Sequence, residues 1–169
     1  LVGSEMCIRD SGDTAHLQAG TTFLFDGEYN FNIYGTLKAI GTETDSIVFD
    51  NFGNDRWRGF TLDNASDETT FEYVRLSGAE KDEGGGMYVL SSNPTLTHVT
   101  IADNTANDDG GGMFLSSSNP TLTSSILWNN SPQSISIYSG APVITYSDVE
   151  GGWEGAGNID ADPLFNDPN

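Results

Sequence analysis

The sequence has little positive charge, a single cysteine and no long apolar run. The chain contains six lysine and arginine residues and 25 aspartate and glutamate residues, which gives a net charge of −19. Such a chain repels phosphate backbones and anionic lipid surfaces, so we expect neither nucleic acid nor a membrane as a partner. No stretch reaches the roughly 18 apolar residues of a membrane-spanning helix, so membrane insertion is not predicted either.

The first eleven residues differ in character from the rest. Residues 1–11, LVGSEMCIRDS, resemble the translation of a sequencing adapter read through into an open reading frame. We therefore expect residues 1–11 to be an artefact and residues 12–169 to be the native domain, a fragment truncated at both ends. The only cysteine, Cys7, lies in the adapter-like part, which excludes a disulfide framework from the native segment.

The most informative feature present is a repeat of 26 residues. GGGMYVLSSNPTLT begins at Gly84 and GGGMFLSSSNPTLT at Gly110, and 12 of the first 21 aligned positions are identical. A period in the twenties indicates a unit that stacks on copies of itself to bury its apolar side. The alignment extends outward, with residues 70–76 matching 95–101 and residues 142–145 matching 120–123.

Short alternating runs, separated by Gly, Asn, Asp, Ser and Pro, predict many short strands. Because side chains alternate along a strand, we expect Leu96, Leu122 and Ile144 to stack inward and the flanking threonines to point outward. Asn104 and Asn130 fall at one turn position, where their amides can bond from one coil to the next.

These motifs resemble a known family of repeats. The runs SSNPTLTHVTIADNTA and GGGM, the opening AGTTFLF and the ending GNIDADPLF are similar to right-handed parallel β-helix repeats of the pectate-lyase-like superfold. The resemblance covers residues 16–169 and implies an all-β, single-stranded solenoid of about five to six coils. It also implies a bacterial protein of the secreted or cell-surface type. It does not define an activity, since lyases, hydrolases and adhesins share this repeat.

Two acidic pairs precede the glycine triplets at the same repeat position, and together they predict a cation site. Asp82, Glu83, Asp108 and Asp109 would be brought together by stacking, where their like charges destabilise one another. A hard cation with oxygen ligands, Ca²⁺ above all, would relieve the repulsion. The alternative is that these acids extend into solvent from a turn, where aspartate is favoured.

A second candidate site surrounds Trp128, which stands where the previous coil has Ala102. An outward Trp128 over a small neighbour, with Glu150 at the aligned position of the next coil, forms a hypothetical platform for a sugar ring. Asp148 and Glu154 could add the carboxylates that glycoside hydrolysis requires. The alternative is that Trp128 covers a groove between coils.

No coherent catalytic constellation emerges, so no catalytic residue is predicted. Lyases of this fold use a basic residue beside a calcium-bound uronate, which leaves Arg58 and Arg75 as candidates. Their alternative role is on a solvated strand face or in a surface ion pair with Glu72 or Asp63. We expect a non-catalytic extracellular scaffold that binds polysaccharide or a cell-surface glycan. The alternatives are a polysaccharide lyase or glycoside hydrolase with its active site partly outside this chain, and a calcium-stabilised spacer.

Overall fold

The fold is built entirely from short strands and turns. A computed structural model describes residues 5–8 and 12–165, and for residues 5, 6 and 8 it describes the backbone alone. No α-helix occurs in these two ranges, and consequently none that could cross a membrane. The strands are short because Gly, Asn, Asp and Ser interrupt the chain every few residues.

Eighteen of the strands form three parallel sheets that run the length of the molecule. Sheet 1 contains β1 (Glu5–Ile8), β4 (Asn30–Ile33), β7 (Phe60–Asp63), β11 (Met87–Leu90), β15 (Met113–Ser116) and β18 (Ile135–Ile137). Sheet 2 contains β2 (Thr14–Leu17), β5 (Thr36–Ile40), β8 (Thr70–Glu72), β12 (Thr95–Thr97), β16 (Thr121–Thr123) and β19 (Val143–Thr145). Sheet 3 contains β3 (Thr22–Phe25), β6 (Ile47–Asn51), β9 (Val74–Ser77), β13 (Thr100–Ala102), β17 (Ile126–Trp128) and β20 (Asp148–Val149).

Each coil contributes one strand to each sheet, which makes the molecule a right-handed parallel β-solenoid of about five coils. The register is the one predicted from the repeat. Leu96 lies between Phe71 and Leu122, and Ile144 follows on the next coil. All four side chains are buried, while Thr95 is exposed, so the predicted inward and outward faces are confirmed.

Side-chain ladders tie the coils together at the bends. Asn104 is fully buried, and its Nδ2 donates to Oδ1 of Asn130 at 3.1 Å, as the repeat predicts. Its own Oδ1 accepts from the backbone N–H of Ala79 at 3.0 Å. A second ladder uses buried serines, with Ser92 N–H donating to Oγ of Ser118 at 3.2 Å. These bonds satisfy backbone groups that the turns leave outside the sheets.

A fourth, two-stranded sheet stands beside sheet 1 in the middle of the solenoid. It pairs β10 (Glu80–Glu83) with β14 (Thr105–Asp109), and the glycine triplets then turn the chain into sheet 1. Gly84 has φ +65°, and a Cβ on Gly85 would lie 2.2 Å from the carbonyl oxygen of Thr105. Close approach of backbones therefore requires glycine here.

The two ends of the chain extend the sheets. Residues 5–8 pair with β4, so part of the adapter-like segment lies against the solenoid; its origin stays a prediction. At the other end, the N–H of Ile159 donates to the carbonyl of Ser147 at 2.9 Å, and Oδ1 of Asn158 accepts from Ser147 N–H at 3.0 Å. Trp153 packs against the core. Residues 153–159 thus cover part of the last coil.

Candidate functional site

The outer face of sheet 3 carries two columns of side chains that point away from the core. One column runs from Val48 through Arg75 and Thr100 to Ile126. The other runs through Ser77, Ala102 and Trp128, and its middle member is small. Because neighbouring strands lie roughly 4.8 Å apart, these columns form a continuous surface along the solenoid axis.

A cleft of about 420 Å³ lies on this face. Its floor includes Leu76 and Ala102, and Phe165 from the C-terminal segment lies at its edge. Its polar groups include Asp50, Asn51, Arg56, Arg75, Ser77, Thr100 and Asp103. Two of the six basic residues of the whole chain therefore line one cleft.

The charges of this cleft balance. Arg56 and Arg75 supply two guanidinium groups, and Asp50 and Asp103 supply two carboxylates. Arg56 Nη1 donates to the backbone carbonyl of Asp103 at 3.5 Å, which draws the two segments together. A locally neutral cleft with many donors and acceptors over an apolar floor suits a ligand rich in hydroxyl groups.

Trp128 stands one coil beyond the floor of the cleft. It pairs in register with Ala102 and is half-buried, so the predicted position of an outward tryptophan beside a small neighbour is confirmed. Trp128 lies one strand spacing, roughly 4.8 Å, from Ala102, and its side chain is not among those that line the cleft.

Glu150 is held by a hydrogen bond to the backbone of a neighbouring coil. Its carboxylate accepts from the backbone N–H of Asn129 at 2.6 Å and lines a separate cleft over residues 129–134. The Nδ2 of Asn129 in turn donates to Oδ1 of Asp103 at 2.5 Å. Glu150 thus contacts the sheet 3 cleft through Asn129 and Asp103. A direct contact of Glu150 with a sugar stays a prediction.

The four acids of the predicted calcium site are in part engaged elsewhere. Glu83 lies opposite Asp109, but the register of β10 and β14 shifts between Lys81 and Glu83. Asp82 accepts from the amide of Asn107 at 3.0 Å. In the described ranges, no group of three or more His, Cys, Asp or Glu side chains is arranged to hold a metal ion.

The calcium site at Asp82, Glu83, Asp108 and Asp109 therefore stays a prediction. Thermal melting with and without millimolar calcium tests it, and an unchanged Tm would overturn it.

The two arginines predicted as lyase candidates do not share a site, because Arg58 and Arg75 line different clefts. Arg58 forms an ion pair with Glu28 at 2.6 Å, at the side of a polar groove of about 510 Å³. That groove also contains Asp55, Glu80 and Asp82. Arg58 thus forms a surface ion pair, the kind of role expected as its alternative, but its partner is Glu28 and not the predicted Glu72 or Asp63.

Lys81 has the most perturbed environment among the ionisable groups that the structure describes. Its Nζ donates to Oγ1 of Thr61 at 2.5 Å and lies 5.2 Å from the ring centroid of Tyr88. Burial, reinforced by repulsion from Arg58, lowers the pKa of Lys81 from 10.5 to about 8. Burial also raises the pKa of Tyr88, with Glu83 adding to the effect.

Sequence reasoning missed the partnership of Arg56, Arg75, Asp50 and Asp103. Arg75 and Asp50 lie on adjacent strands of sheet 3, which the repeat could have indicated once β6 was aligned with β9. Arg56 comes from an irregular loop, and no periodicity in the sequence places it.

The stacked coils and the three parallel sheets define this molecule as a β-solenoid repeat protein with a side-chain-lined cleft on one sheet. A family model described as right handed beta helix region matches residues 11–157. The chain belongs to that family, as its motifs predicted. No curated protein and no solved structure matches it.

Proposed function

We propose that this chain is a non-catalytic, polysaccharide-binding segment of a secreted or cell-surface protein, and that it binds its glycan in the cleft of sheet 3. The observation that carries the proposal is the balanced set of arginines and aspartates over an apolar floor, with Trp128 one coil further on. Carboxylates and guanidinium groups form paired hydrogen bonds with neighbouring hydroxyls, and an indole packs on the apolar face of a sugar ring.

The ligand is a neutral polysaccharide. The two arginines and two aspartates of the cleft cancel, while the chain as a whole carries −19 charges. A polyanionic glycan would be repelled as it approaches. Binding of a neutral polymer would change little with salt, whereas binding of an acidic polymer would change strongly.

Affinity electrophoresis against a panel of neutral and acidic polysaccharides tests the proposal. Arg75→Ala and Trp128→Ala are expected to abolish retardation by the neutral ligand. Arg58→Ala is the matched control, since it removes the same charge from a different groove. Retardation of all three variants equal to that of the unmodified chain would overturn the proposal.

A second candidate, a polysaccharide lyase, is supported by Lys81. An amine whose pKa is lowered to about 8 is partly neutral near physiological pH and can abstract a proton. Release of unsaturated products from an acidic polysaccharide, lost in Lys81→Met and kept in Arg75→Ala, would establish this alternative. Absence of product release from a panel of uronate polymers would exclude it.

A further inference from the structure

Four residues occupy one bend position between sheets 2 and 3, and three of them carry rings. Tyr73, His98, Ser124 and Tyr146 follow one another along the solenoid axis, each preceding a strand of sheet 3. Their φ angles are 49°, 54°, 51° and 51°. Because the backbone is left-handed in the same way at each position, the four Cα–Cβ bonds project in a common direction.

The first two rings of this column stack. The centroids of Tyr73 and His98 lie 4.6 Å apart with planes inclined by 16°. This separation matches one strand spacing, roughly 4.8 Å, so the stack follows the coils themselves.

The ring of Tyr146, the fourth residue of the column, is covered on one side by the backbone of Gly157. Tyr146 is 67% exposed, yet a Cβ built on Gly157 would lie 2.4 Å from its Cδ1. Gly157 therefore lies close against the ring at the C-terminal end of the column. Most of the Tyr146 side chain is exposed to solvent.

Ser124 leaves one step of this column without a ring. His98 and Tyr146 stand two coils apart, so their rings are separated by roughly 9–10 Å. A group placed between the two rings contacts both of them, and carbon atoms in contact lie about 3.5–4.0 Å apart. The two contacts take up about 7–8 Å of the separation, which leaves about 2 Å for the thickness of the group itself. A flat aromatic ring is thinner than this space, whereas a puckered sugar ring with its axial hydrogens fills it.

Hydroxyl groups flank the gap. Thr123 precedes Ser124 and Thr145 precedes Tyr146, and their Oγ1 atoms lie 3.3 Å apart. Ser124 itself is exposed at the base of the gap. Three hydroxyls at the edge of two ring faces are the groups that hydrogen-bond a sugar while its apolar faces are covered.

We propose that the gap between His98 and Tyr146 binds one pyranose ring of a neutral glycan, sandwiched between the imidazole and the phenol. The proposal rests on the proposed function for the class of ligand, but the site is separate from the sheet 3 cleft. The two sites are close along the chain, since Thr100 of the cleft is two residues from His98.

Titration with methyl glucoside, followed by NMR, tests the site directly. Binding is expected to shift the ring signals of His98 and Tyr146 and to transfer saturation to the sugar C–H protons. Ser124→Tyr should weaken binding at least tenfold, because the new ring completes the stack. That substitution should fold, since Tyr73 and Tyr146 already occupy the same backbone conformation, and a thermal melt confirms it.

Ser117→Tyr is the matched control and is expected to keep the ring shifts, because it adds the same side chain at an exposed residue with φ 52° in a different bend, between sheets 1 and 2. Arg75→Ala should also keep them while losing polymer binding in the cleft, which separates failure of this site from failure of the proposed function. Absence of ring shifts in the unmodified chain, or equal binding by folded Ser124→Tyr, would overturn the proposal.

Discussion

Replacing Asn104 by alanine tests how the coils are held together. Asn104 is fully buried, and its amide bonds the N–H of Ala79 as well as the carbonyls of Leu76 and Ala102. The alanine variant leaves the Ala79 N–H without its side-chain acceptor inside the solenoid.

The expected loss of unfolding free energy can be worked out from these hydrogen bonds. An orphaned buried donor costs about 1–3 kcal/mol, and each further hydrogen bond contributes about 1 kcal/mol. We expect Asn104→Ala to lower the free energy of unfolding by about 3–5 kcal/mol, a large part of the stability of an ordinary domain.

Urea denaturation followed by circular dichroism measures this loss as a shift of the midpoint at constant slope. Asn107→Ala is the matched control, since Asn107 is exposed and its amide donates to the exposed carboxylate of Asp82. The reasoning would be refuted if Asn104→Ala lost no more stability than Asn107→Ala.

Two further perturbations address the core and the buried amine. Leu96→Ala should cost about 2–5 kcal/mol in urea denaturation, because Leu96 is fully buried, while Thr95→Ala should change stability by less than about 0.5 kcal/mol. Equal losses would mean that the face assignment is inverted. The lowered pKa of Lys81 means that the unfolded chain binds more protons above about pH 8. The native chain should therefore gain about 1–2 kcal/mol over Lys81→Met between about pH 8 and pH 9.5, below the range where Tyr88 loses its proton. A difference that is independent of pH, from parallel denaturation series, would contradict the burial of this amine.

The solenoid and its register followed from a few residues. The identical SSNPTLT segments place Leu96 on Leu122 and Asn104 near Asn130, because a parallel stack repeats each position at one strand spacing. The same logic placed Trp128 beside Ala102. Alternation along each strand then separated the buried column from the threonines.

The cleft was harder to predict because its polar residues come from segments that do not repeat. Arg56 lies in a loop between β6 and β7, and the guanidinium bonds a backbone carbonyl at Asp103, 47 residues away. The carboxylate of Glu150 accepts from the backbone N–H of Asn129, a contact that the repeat did not indicate, and its contact with a sugar stays a prediction. Side-chain orientation at a turn depends on such local donors, which periodicity does not encode.

Calorimetric titration of a neutral oligosaccharide, chosen from the electrophoresis panel, into the chain and into Arg75→Ala tests the central claim most directly. We expect binding by the chain at an affinity that changes little with salt, and a loss of at least tenfold in Arg75→Ala. Equal affinities for the two proteins, with the fold intact, would contradict a glycan site in the cleft of sheet 3.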